Sequence, residues 1–389
     1  DKIKKGLEIL GADEDTTLPY LLELLSVKDN GIDKIPLSPA ERKDRIIGAL
    51  KQIALKGSEI RPLIMAYENL HWIDNSSEEL LMKLLDVISG ARVFLIFTYR
   101  PEFVHTWGGR SYHSQVNLNR LSTRETLMMA SHLLDTVKFD RQIEQLVLEK
   151  TEGIPFFIEE LINALKDQKI IEKRDNNYHL AKDIQEAIIP STIHDVIMAR
   201  VDSLLEGAKG LLQTGSVAGR EFSHHLIKKL TEFSKDELLS HLSVLKDSEL
   251  LYERGIYPQS NYVFKHALTQ EVAYNSLLQK RRTELHEKIG KTLEKIHADR
   301  LEELCEMLAY HFLQGEDWQR TYRYCQQAGM KAYSHSAYEQ AQRYFEEALT
   351  AIKKLPRKKA RIKLEIDLRF NMRSPLVALG RHEEWGEWI

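Results

Sequence analysis

Two short apolar runs limit what this chain can fold into more than any other feature: PLIMAY over 62–67 and RVFLIFTYR over 92–100, with a helix-patterned stretch between them. Strands that are apolar throughout are those buried on both faces, and parallel strands of that kind are joined by right-handed helical crossovers rather than by hairpins. The connecting segment, from about Ser76 to Ile88, has helical spacing and stops at Gly90. Strand, helix and strand in that order predict a parallel α/β layer. Function is expected where the chain leaves the carboxyl ends of the strands, just after Tyr67 and Thr98. A further helix is predicted ahead of the unit, over 38–56. Ser38-Pro39-Ala40-Glu41 has the form of a capping box with proline in the first turn, and Ile46, Ile47, Leu50 and Ile53 follow at helical spacing.

From Ser122 the pattern turns helical. A second capping box, Ser122-Thr-Arg-Glu125, precedes a segment near 140–151 and a helix from Pro155 to Asp167, and a polar hairpin follows around Asn176-Asn177. A new domain is expected to open at Ile189-Pro190-Ser191, with helices near 192–204, 206–217, 223–231 and 235–248. They lead into LLYERGIYPQSNYVFKH (250–266), two alternating runs about a Gly/Pro/Ser/Asn turn, and helices followed by a β-hairpin have the outline of a winged helix. Beyond Leu277 the chain reads as helical, with small and aromatic residues at packing spacing: Ala309, Tyr310, Trp318, Tyr322, Ala337, Tyr338, Ala341, Phe345 and Ala348. SAYEQAQRYFEEAL (336–349) has the small and aromatic placement of a tetratricopeptide-like helix, without a strict 34-residue period.

With 389 residues, the chain is too long for one hydrophobic core, and two to four domains are expected. A 43% hydrophobic and 29% charged composition, with 19 Gly and 10 Pro, excludes a fibrous or disordered chain. The net charge of −3, from 55 basic and 58 acidic residues, supplies no whole-chain field for nucleic acid or anionic membrane, so such a partner would need a local patch. Cys305 and Cys325 have no CxxC neighbour and no His/Cys cluster nearby, which points to neither a disulfide framework nor a zinc site and suits a reducing cytosol. The longest apolar runs are far short of a membrane span, and Asp1-Lys-Ile-Lys-Lys has no apolar signal core. The chain opens without Met and closes in Glu384–Ile389 with uncovered apolar surface, so a segment cut from a longer protein is expected.

PLIMAYENLHWID places Glu68 at the carboxyl end of a strand, where a carboxylate can reach a Mg²⁺ that bridges nucleotide phosphates. An isolated strand-end glutamate is as often an ordinary surface residue. Its continuation, Leu70-His71-Trp72-Ile73-Asp74, resembles the Walker B segment of the STAND class of signalling ATPases, where the usual run is Glu-Asp-Leu-His-Trp-x-Asp. Here Asn69 stands at the second acidic position, where it can orient a water and cannot act as a base, and slow hydrolysis is expected. Thr98-Tyr99-Arg100-Pro101-Glu102 resembles the sensor segment of the same class, which implies that Arg100 reads the terminal phosphate, a task suited to a bidentate guanidinium. Gly153-Ile154-Pro155-Phe156-Phe157-Ile158-Glu159-Glu160-Leu161 resembles the lid motif in which the proline packs near the adenine base, and proline in a first helical turn is sound structural chemistry as well. Farther on, 189–202, Val217-Ala-Gly-Arg-Glu-Phe222 and Phe264-Lys-His-Ala-Leu-Thr-Gln-Glu-Val-Ala-Tyr274 resemble the winged-helix part of predicted ATPases attached to bacterial adenylate/guanylate cyclases and Ser/Thr kinases.

A phosphate loop, G-x-x-x-x-G-K-[ST], is absent. Gly6–Gly11 has the glycine spacing and continues Ala12-Asp13, while Gly290-Lys291-Thr292 has only the tail and lies in a helical pattern. The resemblance places the loop upstream of Asp1. No kinase HRD or DFG run is present, so a cyclase or kinase effector would lie on a missing flank. His286-Glu287 fails H-E-x-x-H and His224-His225 lacks a third ligand, so both are read as surface histidines. Lys280-Arg281-Arg282 and 353–363, where seven of eleven residues are basic, are read as solvated helix ends and loops.

The expected fold is multidomain and mainly α. Residues 1–120 would form a partial α/β parallel-sheet P-loop NTPase core with Walker B and sensor strands and no Walker A, and 121–185 a helical lid and hairpin. Residues 186–285 would form a winged helix, and 286–389 truncated tetratricopeptide-like repeats. The expected function is that of a cytoplasmic ATP- and Mg²⁺-binding regulatory switch, with Glu68, Asn69 and Arg100 at the reacting phosphate, Glu68 on the metal, and Pro155 at the base. It would control a cyclase or kinase effector, and the repeats would take a protein partner. The alternatives are a DNA-binding transcription regulator and a nucleotide-free interaction scaffold.

Overall fold

The structure is a computed structural model that describes residues 2–381 except 26, 28–30, 33, 34, 36, 106, 108, 109, 137–139, 175, 176, 182–191, 357 and 358. Among the described residues the chain is mainly helical with small sheets. It divides into two compact units, one of Asp1–Gln115, Arg300–Ala309 and Trp318–Ile389, the other of Val116–Asp299 and Tyr310–Asp317.

The first unit begins with α1 (Lys2–Leu10), α2 (Glu14–Leu24) and α3 (Pro39–Ile60), which share a core of Leu7, Tyr20, Leu21, Ile46 and Ala49. The capping box at the start of α3 forms: the Glu41 N–H donates to Ser38 Oγ at 3.3 Å, and the Ser38 N–H donates to Glu41 Oε2 at 2.8 Å. Next come β1 (Leu63–Tyr67), α4 (Asn75–Leu85) and β2 (Val93–Phe97). The two strands pair in parallel, from Leu63 opposite Val93 to Tyr67 opposite Phe97. One face of the pair packs on Leu81, Leu84, Leu85, Ile88 and Trp107. The other corrects the expectation of strands buried on both sides, because Ile64 is 67% and Phe94 64% exposed. Among the described residues, cover comes from one side only.

The second unit opens with α5 (Thr123–Leu134), α6 (Arg141–Thr151) and α7 (Pro155–Asp167), followed by the antiparallel hairpin β3 (Ile171–Arg174) and β4 (Asn177–Leu180). Ala130, Ile143, Val147, Ile158, Leu161 and Ile162 form their common core. Asn176, and the domain opening expected at Ile189-Pro190-Ser191, lie outside the described residues. The chain continues through α8 (Ile193–Ser203), α9 (Glu206–Ala218), β5 (Glu221–Ser223), α10 (His224–Leu230), α11 (Lys235–Asp247), β6 (Leu251–Arg254), β7 (Asn261–Phe264), α12 (Ala267–Asn275) and α13 (Gln279–Ile296). The sheet runs β5-β7-β6, antiparallel throughout, over a core that includes Ile197, Leu211, Leu245, Leu251 and Phe264. β5 was not expected; at three residues it is too short to show a period of two.

Helix α14 (Cys305–Gln314) contributes Cys305–Ala309 to the first unit and the rest to the second. The first unit ends with α15 (Trp318–Ser334), α16 (Tyr338–Lys354) and α17 (Lys359–Ala378). Buried Ala328, Ala332, Ala341 and Ala348 let α15 and α16 approach, and a methyl at Gly329 would stand 2.5 Å from the Phe345 ring.

Both glycine decoys are helical: Gly6 lies within α1, which Gly11 closes at φ +63°, and Gly290 to Thr292 lie within α13. The surface reading is corrected for His224, 4% exposed, and His286, 1% exposed, while His225 is exposed as expected. His286 accepts or donates in contacts with Tyr274 Oη at 3.1 Å and His311 Nδ1 at 3.0 Å, so it is a satisfied core residue. Lys280 and Arg281 are exposed as expected, whereas Arg282 Nε donates to the Leu277 carbonyl at 2.9 Å and the guanidinium lies over the Tyr274 ring. Among the described residues no helix is long and apolar enough to cross a membrane.

Candidate functional site

The parallel pairing of β1 and β2 brings the two predicted strand ends side by side. Three hydrogen bonds tie them. The Thr98 N–H donates to the Tyr67 carbonyl at 3.0 Å, the Leu70 N–H to the Thr98 carbonyl at 2.9 Å, and the Asn69 N–H to Thr98 Oγ1 at 3.0 Å. Asn69 holds φ +61°, a left-handed conformation that Asn tolerates better than most residues. The turn points the chain away from the sheet so that Leu70, 4% exposed, can return to the core.

Glu68 sits at the head of this turn, exposed, with no hydrogen bond or ion pair among the described residues. Arg100 is also exposed, and its guanidinium lies 6.0 Å from the centre of the Trp72 ring, itself 64% exposed. Such a carboxylate and guanidinium can address the two ends of a Mg-phosphate group. No cluster of three or more His, Cys, Asp or Glu ligands occurs among the described residues. A cation at Glu68 would therefore take most of its ligands from phosphate and water, as Mg²⁺ commonly does.

Asp74, the last residue of the Walker-B-like run, caps α4. Its Oδ1 accepts from the Ser76 and Ser77 N–H groups at 3.0 Å each, and Ser77 Oγ donates to Oδ2 at 2.6 Å. Burial works to raise its carboxyl, but these hydrogen bonds together outweigh it and hold the group below the usual carboxylate range. His71 was not singled out from the sequence. Both its ring nitrogens are enclosed and have no hydrogen-bond partner among the described residues, and its only signal was its place in the motif.

Pro155 belongs to the second unit. It is exposed and opens α7. Gly153, two residues before it, holds φ +73°, and a methyl there would stand 2.2 Å from the Leu121 carbonyl oxygen. The spacing of Gly and Pro in this motif thus has a local structural cause.

Comparison with known proteins adds the following. Residues 122–179, which span α5 to β4, match the profile of a domain of unknown function, DUF8739. An uncharacterized protein of Rhizobium meliloti (strain 1021) is 26% identical over 259 residues, 63% of this chain and 23% of that protein, so the chain spans about a quarter of its length. A solved structure of a signal transduction ATPase with numerous domains, carrying a tetratricopeptide repeat sensor, from Pyrococcus horikoshii aligns over 95% of this chain and 54% of its own, with 14% identity and a TM-score of 0.46.

Proposed function

We propose that this chain carries the acidic, sensor and lid segments of a nucleotide-controlled signalling switch of the STAND type, acting on ATP with Mg²⁺. The observation that supports it most is the in-register parallel pair β1–β2, which sets the exposed Glu68 beside the Thr98–Arg100 segment. Glu68 would be the protein's ligand to Mg²⁺, Arg100 would meet the terminal phosphate, Asn69 would orient water, and Pro155 would line the base. Mg²⁺ would supply charge neutralisation at the phosphates, and the chain's own groups would position them. Hydrolysis would be slow, since an amide cannot take the proton of the attacking water. The phosphate cradle and the effector, a nucleotide cyclase or protein kinase, would come from other parts of a longer protein. Helices α15–α17 would offer their surface to a protein partner.

The order α9, β5, α10, α11, β6, β7 supports a winged-helix reading of this block. Its α11 begins with Asp236 and Glu237 in the first turn, an acidic end ill suited to a phosphate backbone, so DNA is not the favoured partner.

The test is equilibrium binding of Mg-ATP to the full-length protein that contains this chain. Glu68→Ala and Arg100→Ala are each expected to weaken binding by roughly tenfold or more, the value of one or two charge-assisted contacts. Undiminished affinity in both variants would rule out the assigned roles.

A further inference from the structure

Two of the sequence motifs singled out above meet each other in the second unit. Helix α7 carries Glu159 and Glu160 on consecutive positions. Glu160, 1% exposed, accepts from Arg200 Nη1 of α8 at 2.7 Å, and Arg200, 3% exposed, also donates through Nε to Asp167 Oδ2 at 3.2 Å and through Nη2 to the Ser248 carbonyl. Glu159 pairs with Lys265, which follows β7 and also binds Glu249. His266 Nε2 lies 3.8 Å from Glu159 Oε2, and its ring lies against Phe156 of α7, tilted by 43° with 4.0 Å between centroids. The apolar contacts agree with the polar ones. Phe156 packs on the core shared by α8, α9, α11 and the three-stranded sheet, and Ile193 packs on both that core and the core of α5–α7.

A buried ion pair is a poor source of stability, because desolvation of two charges offsets most of their attraction, but removing one partner leaves a buried charge uncompensated. In some proteins such a pair serves to specify one geometry. Here every guanidinium contact crosses from one block of the unit to the other or onto the α11–β6 turn: Glu160 and Asp167 belong to the α5–α7 block, Arg200 and Ser248 to the other.

We infer that this seam of Glu159, Glu160, Arg200 and Lys265 is a mechanical coupling, through which the α5–α7 block and the α8–α12 block open and move as one body. A ligand that displaces the amino end of α7 therefore displaces the segment after β7 with it, and any hinge lies outside the seam. The inference does not rest on the nucleotide reading, since it concerns how motion passes through the unit and not what starts it.

Native-state hydrogen exchange on the full chain, in stepped sub-denaturing urea, tests it without any ligand. In the unaltered protein the best-protected amides of α6 and α7 should merge onto the same opening isotherm as those of β6, β7 and α12. Arg200→Met should separate the two sets, with α7 amides exchanging about 100-fold faster or more. Lys265→Gln, a milder change at a less buried residue, should separate them by about tenfold, and it carries the test if Arg200→Met fails to fold. Two distinct isotherms in the unaltered protein, or merged isotherms in the folded variants, would overturn the inference.

Discussion

Replacing Gly153 by Ala puts a methyl where the backbone of Leu121 already stands. The new carbon would lie 2.2 Å from the Leu121 carbonyl oxygen and 3.2 Å from both its carbonyl carbon and its nitrogen. All three are backbone atoms, so no side-chain rotation relieves the overlap. Gly153 also holds φ +73°, which costs an L-residue roughly 1–2 kcal/mol. Moving the two segments apart would stretch the bond from the Leu121 N–H to the Gly153 carbonyl, now 2.8 Å, a further loss of about 1 kcal/mol. The total, about 2–3 kcal/mol, converts at ~1.4 kcal/mol per decade to exchange about 30- to 150-fold faster at the protected amides of α6 and α7. Hydrogen exchange read by mass spectrometry measures this directly, with no nucleotide present. Pro155→Ala is the matched comparison: the residue is exposed and opens the helix, so its loss should cost under about 1 kcal/mol. An exchange rate in Gly153→Ala within about threefold of the unaltered protein would refute the steric reasoning.

Asp74→Ala removes the cap of α4 and should raise exchange in that helix by the equivalent of about 1 kcal/mol, whereas Glu68→Gln, at an exposed residue, should change it by under about 0.5 kcal/mol; equal effects would sink the distinction between them. Asn69→Asp keeps a residue that accepts the left-handed turn and should raise ATP turnover of the full-length protein about tenfold or more without loss of folding, and unchanged turnover would remove position 69 from the chemistry. Burial holds the His286 imidazole at about 4, with Arg282 adding to the effect, and burial, aided by His286, holds His311 at about 3. The unfolded chain takes up these protons near pH 6.5, so it binds more protons than the folded one below that point. Their contribution to stability is therefore complete above about pH 6.5 and lost as pH falls toward 4, at up to ~1.4 kcal/mol per pH unit for each histidine. Urea midpoints between pH 4.5 and 7 should fall less steeply in His311→Gln, and parallel slopes would refute the linkage.

What could be read from the sequence is what acts over one or two turns of chain. The capping boxes at Ser38 and Ser122 formed as expected because both partners lie three residues apart. Pro155 opens α7 and Gly90 closes the turn after α4 for equally local reasons. The strand pairing could be read because two apolar runs joined by a helix leave few topologies. The exposure of Ile64 and Phe94 could not, since an apolar run states what could be buried and not what is present to bury it. The buried histidines were misread for a related reason: His286 finds its partners twelve residues back at Tyr274 and twenty-five ahead at His311, a separation no local pattern reports. At the strand ends, the meeting of the Asn69 turn with Thr98 followed from the parallel order, but the left-handed conformation of Asn69 left no trace in the residue pattern. Glu159 and Glu160 carried no role of their own in the lid-like motif, and their partners Lys265 and Arg200 lie too far along the chain for any local pattern to report.

The functional reading gains most from subtraction. Within the Walker-B-like run, Leu70 fills the core, Asn69 makes the turn, and Asp74 caps α4, so each has a structural reason to be the residue it is. Gly153 is required by the approach of Leu121, and Glu160 by Arg200. None of these needs a ligand to explain it. Glu68 differs: it is exposed, caps nothing, and is paired with nothing among the described residues, yet it stands at the end of a strand whose neighbour is followed, three residues past its end, by an exposed arginine. An exposed glutamate alone carries little weight, because such residues are common. The residue after it, Asn69, is tied to Thr98, two positions before the exposed Arg100, and His71, three residues on from Glu68, has two enclosed ring nitrogens with no hydrogen-bond partner among the described residues. The search for bound phosphate, metal or a contacting segment therefore belongs at the carboxyl end of β1 and β2, with Glu68 and Arg100 as the first residues to change.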